Sequence, residues 1–586
     1  MTKTGTAGLS RRLRVLLTAS TILIIVFLIR LIDFQVVRAG EISQQSYDNR
    51  AVSRTIEAAR GDILDSHGNV LATTVYRFDI NAAPAIVRPV ERMVNGVSQI
   101  QSVESVASEL AQLLDEDLAA LLPKLTGSSN YVSLKKRVDA DTHRRVMDLG
   151  IPWIFADSHQ SRLYPNGAVA GNLLGFVDVE GVALAGIERQ YNSCLAGTDG
   201  QERFETGVDG IRIPATAVVT QEVQHGHDVI LTIDSGLQYQ AQQVLAAEVE
   251  RLNAEWAAAV VIEVKTGKIV LAAEAPSVDP NDPAKLEPAD RGARVFQFAY
   301  EPGSTMKALT AATAIDGGYA SMSTGITATD SLQVFDATIS DFSPHKPQRL
   351  TLAGVLINSS NVGMIKIAEN IPASTRFEAM QRFGFGKPSE VGFEGETFGV
   401  LSDYKEWDGV SNFTTMFGQA LSVSPVQMTS AYQALANGGL RQPPVLVEGC
   451  ANKNGGIVSA PPALPTTQVV SEQAARDVVL MLEKVVEESG GGRLTAVPGY
   501  RSAGKTGTAE IKEGSAYGDY FATSFFGMAP VENPQYAIGL VIYKPTQIWT
   551  SSRAAVEPYQ KILSQVLIAN RVTPSTTSSD PIPANW

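Results

Sequence analysis

Cysteine is almost missing from this chain: 586 residues hold only Cys194 and Cys450. Two thiols cannot build a disulfide framework or a four-ligand metal site, which leaves one bridge or, as the plainer reading, two unpaired thiols. Histidine is nearly as scarce, with six in all, and His143, His159 and His227 show no ligand spacing, so neither metal nor other cofactor is expected. Positive charge is also short: 48 Lys and Arg against 61 Asp and Glu leave a net charge of −13. That balance argues against nucleic acid as a partner, because neutralising phosphates needs clustered cations.

Long apolar runs are missing too, with one exception. From Val15 to Ile29 only Thr18, Ser20 and Thr21 interrupt the hydrophobic residues, and Leu31 to Val37 extends the run past Arg30 and Asp33. This is enough to span a bilayer, and Lys3, Arg11, Arg12 and Arg14 before it predict a cytoplasmic N-terminus. No small-x-small cleavage site follows, so an uncleaved single-pass anchor in the cell membrane is expected rather than a signal peptide. The reading is a cytoplasmic tail over 1–14, an anchor over 15–37, and everything later on the extracytoplasmic side.

The exported part reads as two regions and a tail. Over 38–222, Arg60 to Asp65, the turn Ser66-His67-Gly68-Asn69 and Val70-Leu71-Ala72 predict a strand, a tight turn and a second strand. Glu104 to Leu122 has helical periodicity, and no catalytic cluster stands out, so a platform or spacer is expected. A new unit, 223–570, opens with a strand over Val229–Asp234, a helix over Leu237–Leu252 and a hairpin over Ala257–Ala273, continues with apolar helices and ends with strand-like runs over 501–545. Strands, then helices, then strands predict an α/β sandwich. The Ser-, Thr- and Pro-rich end, 571–586, is expected to be disordered.

Serine-based acyl transfer requires a hydroxyl, a base, a proton relay and a site for the oxyanion. Glu301-Pro302-Gly303-Ser304-Thr305-Met306-Lys307 opens a small-residue helix, which sets Ser304 and Lys307 three apart on one face. A lysine buried along such a helix loses proton affinity and becomes a base. Ser359-Ser360-Asn361 then supplies a relay hydroxyl and an amide, and Lys505-Thr506-Gly507-Thr508 an edge strand for a peptide, with Lys505 and Thr506 for its carboxylate and the Thr508 N–H for the oxyanion. Each motif alone is weak: Ser-x-x-Lys recurs at Ser133–Lys136, Ser343–Lys346 and Ser402–Lys405, Ser-x-Asn at Ser128–Asn130 and Lys-Thr-Gly at Lys265–Gly267. Only 304–307, 359–361 and 505–508 stand in the order Ser-x-x-Lys, Ser-x-Asn, Lys-Thr-Gly with suitable surroundings.

At these residues the chain resembles the class B penicillin-binding proteins, and within them the septal cell-division (FtsI-type) peptidoglycan D,D-transpeptidases. Arg60-Gly61-Asp62-Ile63, Arg162-Leu163-Tyr164-Pro165 and Gly186-Ile187-Glu188 match the family's pedestal motifs, although Ser66 stands where Arg is common. Tyr300 to Ser304, Ser359 to Met364, Phe417-Gly418-Gln419 and Ser424 to Gln427 look septal rather than elongation-type.

The resemblance implies an elongated N-terminal pedestal, of the dimerisation type, and a transpeptidase domain. It implies a serine D,D-transpeptidase with Ser304 as nucleophile, Lys307 as base, Ser359 and Asn361 as relay and amide anchor, and Lys505, Thr506, Gly507 and Thr508 holding the substrate. Stem peptides ending in D-Ala-D-Ala would be the substrate, and β-lactams would trap Ser304. With no glycosyltransferase domain in evidence, an FtsW-type polytopic polymerase and other divisome membrane proteins are the implied partners. Three rivals share the motifs: a β-lactamase, a membrane-anchored β-lactam sensor and an inactive divisome scaffold. The anchor and long pedestal speak against the first, the short segment before the anchor against the second, and the intact Ser304/Lys307 pair against the third.

Overall fold

The computed structural model describes residues 6–94, 97–206, 213–513, 516–546 and 553–586; Lys3 of the basic flank lies outside them. Contacts divide the chain into two compact units, Met1–Ala59 with Gly197–Gly226, and Arg60–Ala196 with His227–Trp586. Segment 60–196 of the expected pedestal lies in the same compact unit as residues 227–586.

In the first unit, helix Thr6–Ile32 carries the apolar run, and 11–37 is long and apolar enough to cross a membrane. Further on, strand Ala51–Ile56 pairs antiparallel with Gly200–Glu205, which pairs with Val218–Gln221.

The second unit is built on a five-stranded antiparallel sheet. Its strands are β1 (Trp256–Glu263), β2 (Ile269–Ala275), β3 (Ala503–Glu513), β4 (Ala516–Ala529) and β5 (Tyr536–Tyr543), ordered β2-β1-β5-β4-β3. Both faces are buried, so β1 is an unbroken apolar run. Its Ala257, Ala259 and Val261 pack with helices α1 (Ser235–Leu252) and α7 (Arg553–Ala569), whereas Ala258, Val260 and Ile262 join the opposite core. That second core contains α2 (Lys307–Asp316), α3 (Leu352–Asn358), α4 (Asn361–Ala368), α5 (Pro425–Ala436) and α6 (Glu472–Glu488). The expected α/β sandwich is present, with helices on both faces of the sheet, and β3 is an edge strand.

A second, seven-stranded sheet joins early and late sequence. Ile63–Leu64 lies parallel to Asp228–Leu231 and antiparallel to Val70–Ala82, confirming the strand, turn and strand around Gly68. The pedestal motifs meet at one buried carboxylate: Glu188 accepts Arg60 Nε at 2.6 Å, Arg162 Nε at 2.7 Å and the Tyr164 hydroxyl at 3.2 Å.

Three expectations are corrected. The helix over 104–122 is broken: Val103–Leu114 ends at Asp115, in the left-handed region (φ 51°), and Asp117 caps a new turn, Leu118–Leu121. Cys194 and Cys450 are paired as a disulfide, joining residues 256 apart in sequence. The end, 571–586, is packed rather than disordered: Thr351 N donates to Ala584 O at 3.0 Å, its hydroxyl to Pro583 O at 2.6 Å, and the Trp586 ring lies 4.0 Å from the Arg349 guanidinium. Composition misleads here because prolines and small residues suit an extended strap that finds its partners on another element.

Candidate active site

The serine turn is set by what surrounds it. Gly303 to Met306 forms a 3₁₀ turn that runs into α2, leaving Ser304 half-buried and Lys307 fully buried. Gly303 N donates to Gly418 O at 2.9 Å, and Tyr432, on α5, donates its hydroxyl to Thr305 O at 2.9 Å. A Cβ at Gly418 would stand 2.2 Å from Gly303 O, so the septal-type Phe417-Gly418 sequence is where the serine turn is pressed against its support.

The Ser-x-Asn stretch is a break between two helices. Ser359 ends α3 in the left-handed region (φ 57°), and Ser360 caps α4 through Gly363 N. This corner turns the Ser359 carbonyl and hydroxyl toward Lys307, whose Nζ lies 2.5 Å from Ser359 O, 3.4 Å from Ser359 Oγ and 3.0 Å from Ser304 Oγ.

β3 completes the cluster. Lys505 is buried and donates to Ser359 Oγ at 3.0 Å and to the Thr506 carbonyl and hydroxyl at 3.3 and 3.4 Å. Thr506 and Thr508 are half-buried along the edge. Gly507 has an internal reason to lack a side chain: its Cβ would lie 2.4 Å from Ser524 Oγ, 2.9 Å from Thr305 Cγ2 and 3.0 Å from Pro302 O. The close approach is made by the serine turn itself, besides any substrate.

Ser304, Lys307, Ser359 and Lys505 are therefore one hydrogen-bonded chain. Burial and the neighbouring Lys505 charge hold Lys307 well below the usual lysine range, while Asp341 opposes them. Burial pushes Lys505 down to about 7. Asn361 stands apart, its side-chain amide donating to Ser340 O at 2.9 Å.

The repeated motifs gather elsewhere. Ser133 and Lys136 lie on strand Val132–Val138, Lys405 is in a short 3₁₀ turn, and Lys265 is exposed in the β1–β2 turn. Sequence reasoning missed Asp341, which binds the start of α4, and Tyr432, which braces the serine turn; neither sits in a motif. A cavity of about 310 Å³ beside the serine turn and β3 is lined by Tyr300, Glu301, Leu421, Ala509, Glu510 and Tyr543. Among the described residues no group of three or more His, Cys, Asp or Glu is gathered to hold a metal ion.

Comparison with known proteins identifies the family. The penicillin binding protein transpeptidase domain matches residues 257–565, and the penicillin-binding protein dimerisation domain residues 55–231. The chain is 31% identical to penicillin-binding protein PbpB of Mycobacterium tuberculosis, over 90% of this chain and 81% of that protein. It is 28% identical to peptidoglycan D,D-transpeptidase FtsI of Escherichia coli K12, over 90% of this chain and 87% of that one. The crystal structure of penicillin binding protein 3 from Mycobacterium tuberculosis, complexed with aztreonam, superposes with a TM-score of 0.69 at 25% identity, covering 91% of this chain and all (100%) of that chain. With a dimerisation domain followed by a transpeptidase domain whose three motifs meet at one serine, the chain belongs to the class B penicillin-binding proteins.

Proposed function

We propose that the chain is a membrane-anchored serine D,D-transpeptidase that cross-links peptidoglycan stem peptides during septal wall synthesis. The observation that carries this is the chain Ser304 Oγ–Lys307 Nζ–Ser359 Oγ–Lys505 Nζ, with steps of 3.0, 3.4 and 3.0 Å, beside an edge strand. A stem peptide adds to β3 as a further strand, its terminal carboxylate toward Lys505 and the Thr506 and Thr508 hydroxyls. Ser304 Oγ attacks the penultimate D-Ala carbonyl and gives its proton to Lys307, which burial and the Lys505 charge push toward its neutral form.

The N–H groups of Ser304 and Thr508 are suited to the oxyanion. The C–N bond then breaks, and the terminal D-Ala amine leaves with a proton returned through Ser359. The amine of a neighbouring stem attacks the acyl-enzyme and loses its proton to the same base, restoring Ser304. β-Lactams acylate the same oxygen but keep their leaving group tethered. Asn361 holds a substrate amide only if its side chain turns from Ser340. The apolar N-terminal helix is the anchor, with the catalytic part outside the cytoplasm, and an FtsW-type polymerase supplies the glycan.

The test is labelling of the detergent-solubilised chain by a fluorescent penicillin, with D-Ala release and cross-linked product measured on polymerised lipid II. Wild type is labelled and forms cross-links, and Ser304→Ala does neither. Rapid penicillin turnover, or labelling without cross-linking, would sink the proposal.

A further inference from the structure

The corner that presents Ser359 to Lys307 needs something to hold it. Asp341 follows the short strand Ala337–Ser340, and only 7% of its side chain is exposed. Its Oδ1 accepts Asn361 N at 2.6 Å and Val362 N at 3.0 Å, two of the N–H groups that the start of α4 leaves without helical partners. Its Oδ2 accepts the Ser360 hydroxyl at 2.6 Å and faces His345 Nε2 at 3.0 Å. One carboxylate thus binds three consecutive residues, 360 to 362, immediately after the serine whose carbonyl and hydroxyl meet Lys307.

We propose that Asp341 is a positioning residue of the transpeptidase site: it clamps the 360–362 turn, fixes Ser359 against Lys307, and sets a negative charge behind that corner. This rests on Ser304 and Lys307 being nucleophile and base. The charge has a definite sign of action. Lys307 is pushed toward its neutral form by burial and by Lys505 and pulled back toward the ammonium by Asp341. His345 faces Asp341 from the other side. Its Nδ1 lies 2.8 Å from Lys346 O, and that carbonyl, followed by Asp341 and, more distantly, Asp330, favours the imidazolium.

Asp341→Asn separates the two roles. Its carbonyl oxygen still accepts from Asn361 and Val362, and its NH₂ can donate to Ser360 Oγ and to an acceptor on the side chain at 345, but the charge is gone. The experiment measures the second-order rate of fluorescent-penicillin acylation against pH, in a His345→Gln background to remove that residue's own titration. The reference, Asp341→Asn and Asp341→Glu are compared as full-length proteins. In the Asn variant the acid limb, where Lys307 loses its proton, moves down by about half to one pH unit. In the Glu variant the limb keeps its place, but the rate falls about tenfold as the longer side chain displaces the turn.

An unmoved limb in the Asn variant overturns the proposal whatever its rate. If the Asn variant does not fold, the Glu variant decides, and a rate equal to the reference overturns it. Labelling at Ser304 in these variants alongside its loss in Ser304→Ala keeps this result separate from the nucleophile assignment.

Discussion

Glu188→Ala is the sharpest test of how the three pedestal motifs hold together. The Glu188 side chain is fully buried (0% exposed) and receives two guanidinium N–H groups and a phenol, while Arg60 and Arg162 are only 12% and 2% exposed. Each charge-assisted bond contributes about 1.5–3 kcal/mol, and an unpaired buried cation costs several more. Some cost is recovered because Arg60 keeps a second contact, to Asn192 Oδ1 at 2.6 Å, and can reach water. Arg162 has no such exit, although it also donates to Gly61 O at 2.7 Å. The expected loss is about 3–5 kcal/mol.

Scanning calorimetry of the solubilised chain should show a transition lowered by roughly 5–15 °C. Glu188→Gln, which keeps the shape, should lose about half as much. Penicillin acylation of the protein that remains folded should be unchanged. An Ala variant melting within about 2 °C of wild type would refute the view that this carboxylate neutralises buried cations.

The site and the tail yield further expectations. Gly507→Ala forces a methyl toward Pro302 O, a backbone atom that cannot rotate aside, so acylation should fall on the order of 100-fold with only a small loss of thermal stability; a wild-type rate would contradict the packing argument. Lys505, lowered to about 7 from an unfolded value near 10.4, binds fewer protons folded than unfolded as pH rises through 7 to 10. Stability should therefore rise across that window while affinity for carboxylate-bearing β-lactams falls, read by denaturant titration and acylation kinetics; affinity flat from pH 6 to 9 would refute a titrating Lys505. Removing residues 582–586 deprives Thr351 of acceptors at 3.0 and 2.6 Å and should cost about 2 kcal/mol, so a truncated chain as stable as the full one would show the strap to be idle.

Sequence pattern and spacing locate Ser304, Lys307, Ser359 and Lys505 because serine chemistry restricts which residues stand near one another. The sandwich is legible for the same reason: β1 is apolar on both faces, and α1 starts at Asp234, whose side chain caps Leu237 N at 2.9 Å. What was not legible depends on distance in space. Asp341 precedes Asn361 by 20 residues with a loop and α3 between them, and no local spacing marks it. Cys194 and Cys450 meet because the turn Asn192–Leu195 packs against the strand Asp228–Leu231, whose Val229 pairs with Cys450. A break within a helical pattern is equally hidden, since Asp115 ends its helix through backbone geometry rather than a proline or glycine.

The two buried lysines give the site its direction. Both reach the single Ser359 hydroxyl, from 3.4 and 3.0 Å, and two ammonium groups so placed in a buried pocket repel each other. The proton is more cheaply held by Lys505, the residue proposed to meet an anionic peptide end, than by Lys307, which burial and the Lys505 charge push toward its neutral form. A carboxylate bound there, as proposed, would strengthen that preference by stabilising the Lys505 cation, and through Ser359 it would push Lys307 further toward its neutral form. On the proposed mechanism, substrate binding and activation of Ser304 are thus coupled through one hydroxyl. In Ser359→Ala, acylation should fall far more than ground-state binding of the antibiotic, because the lysines remain and only their link is gone.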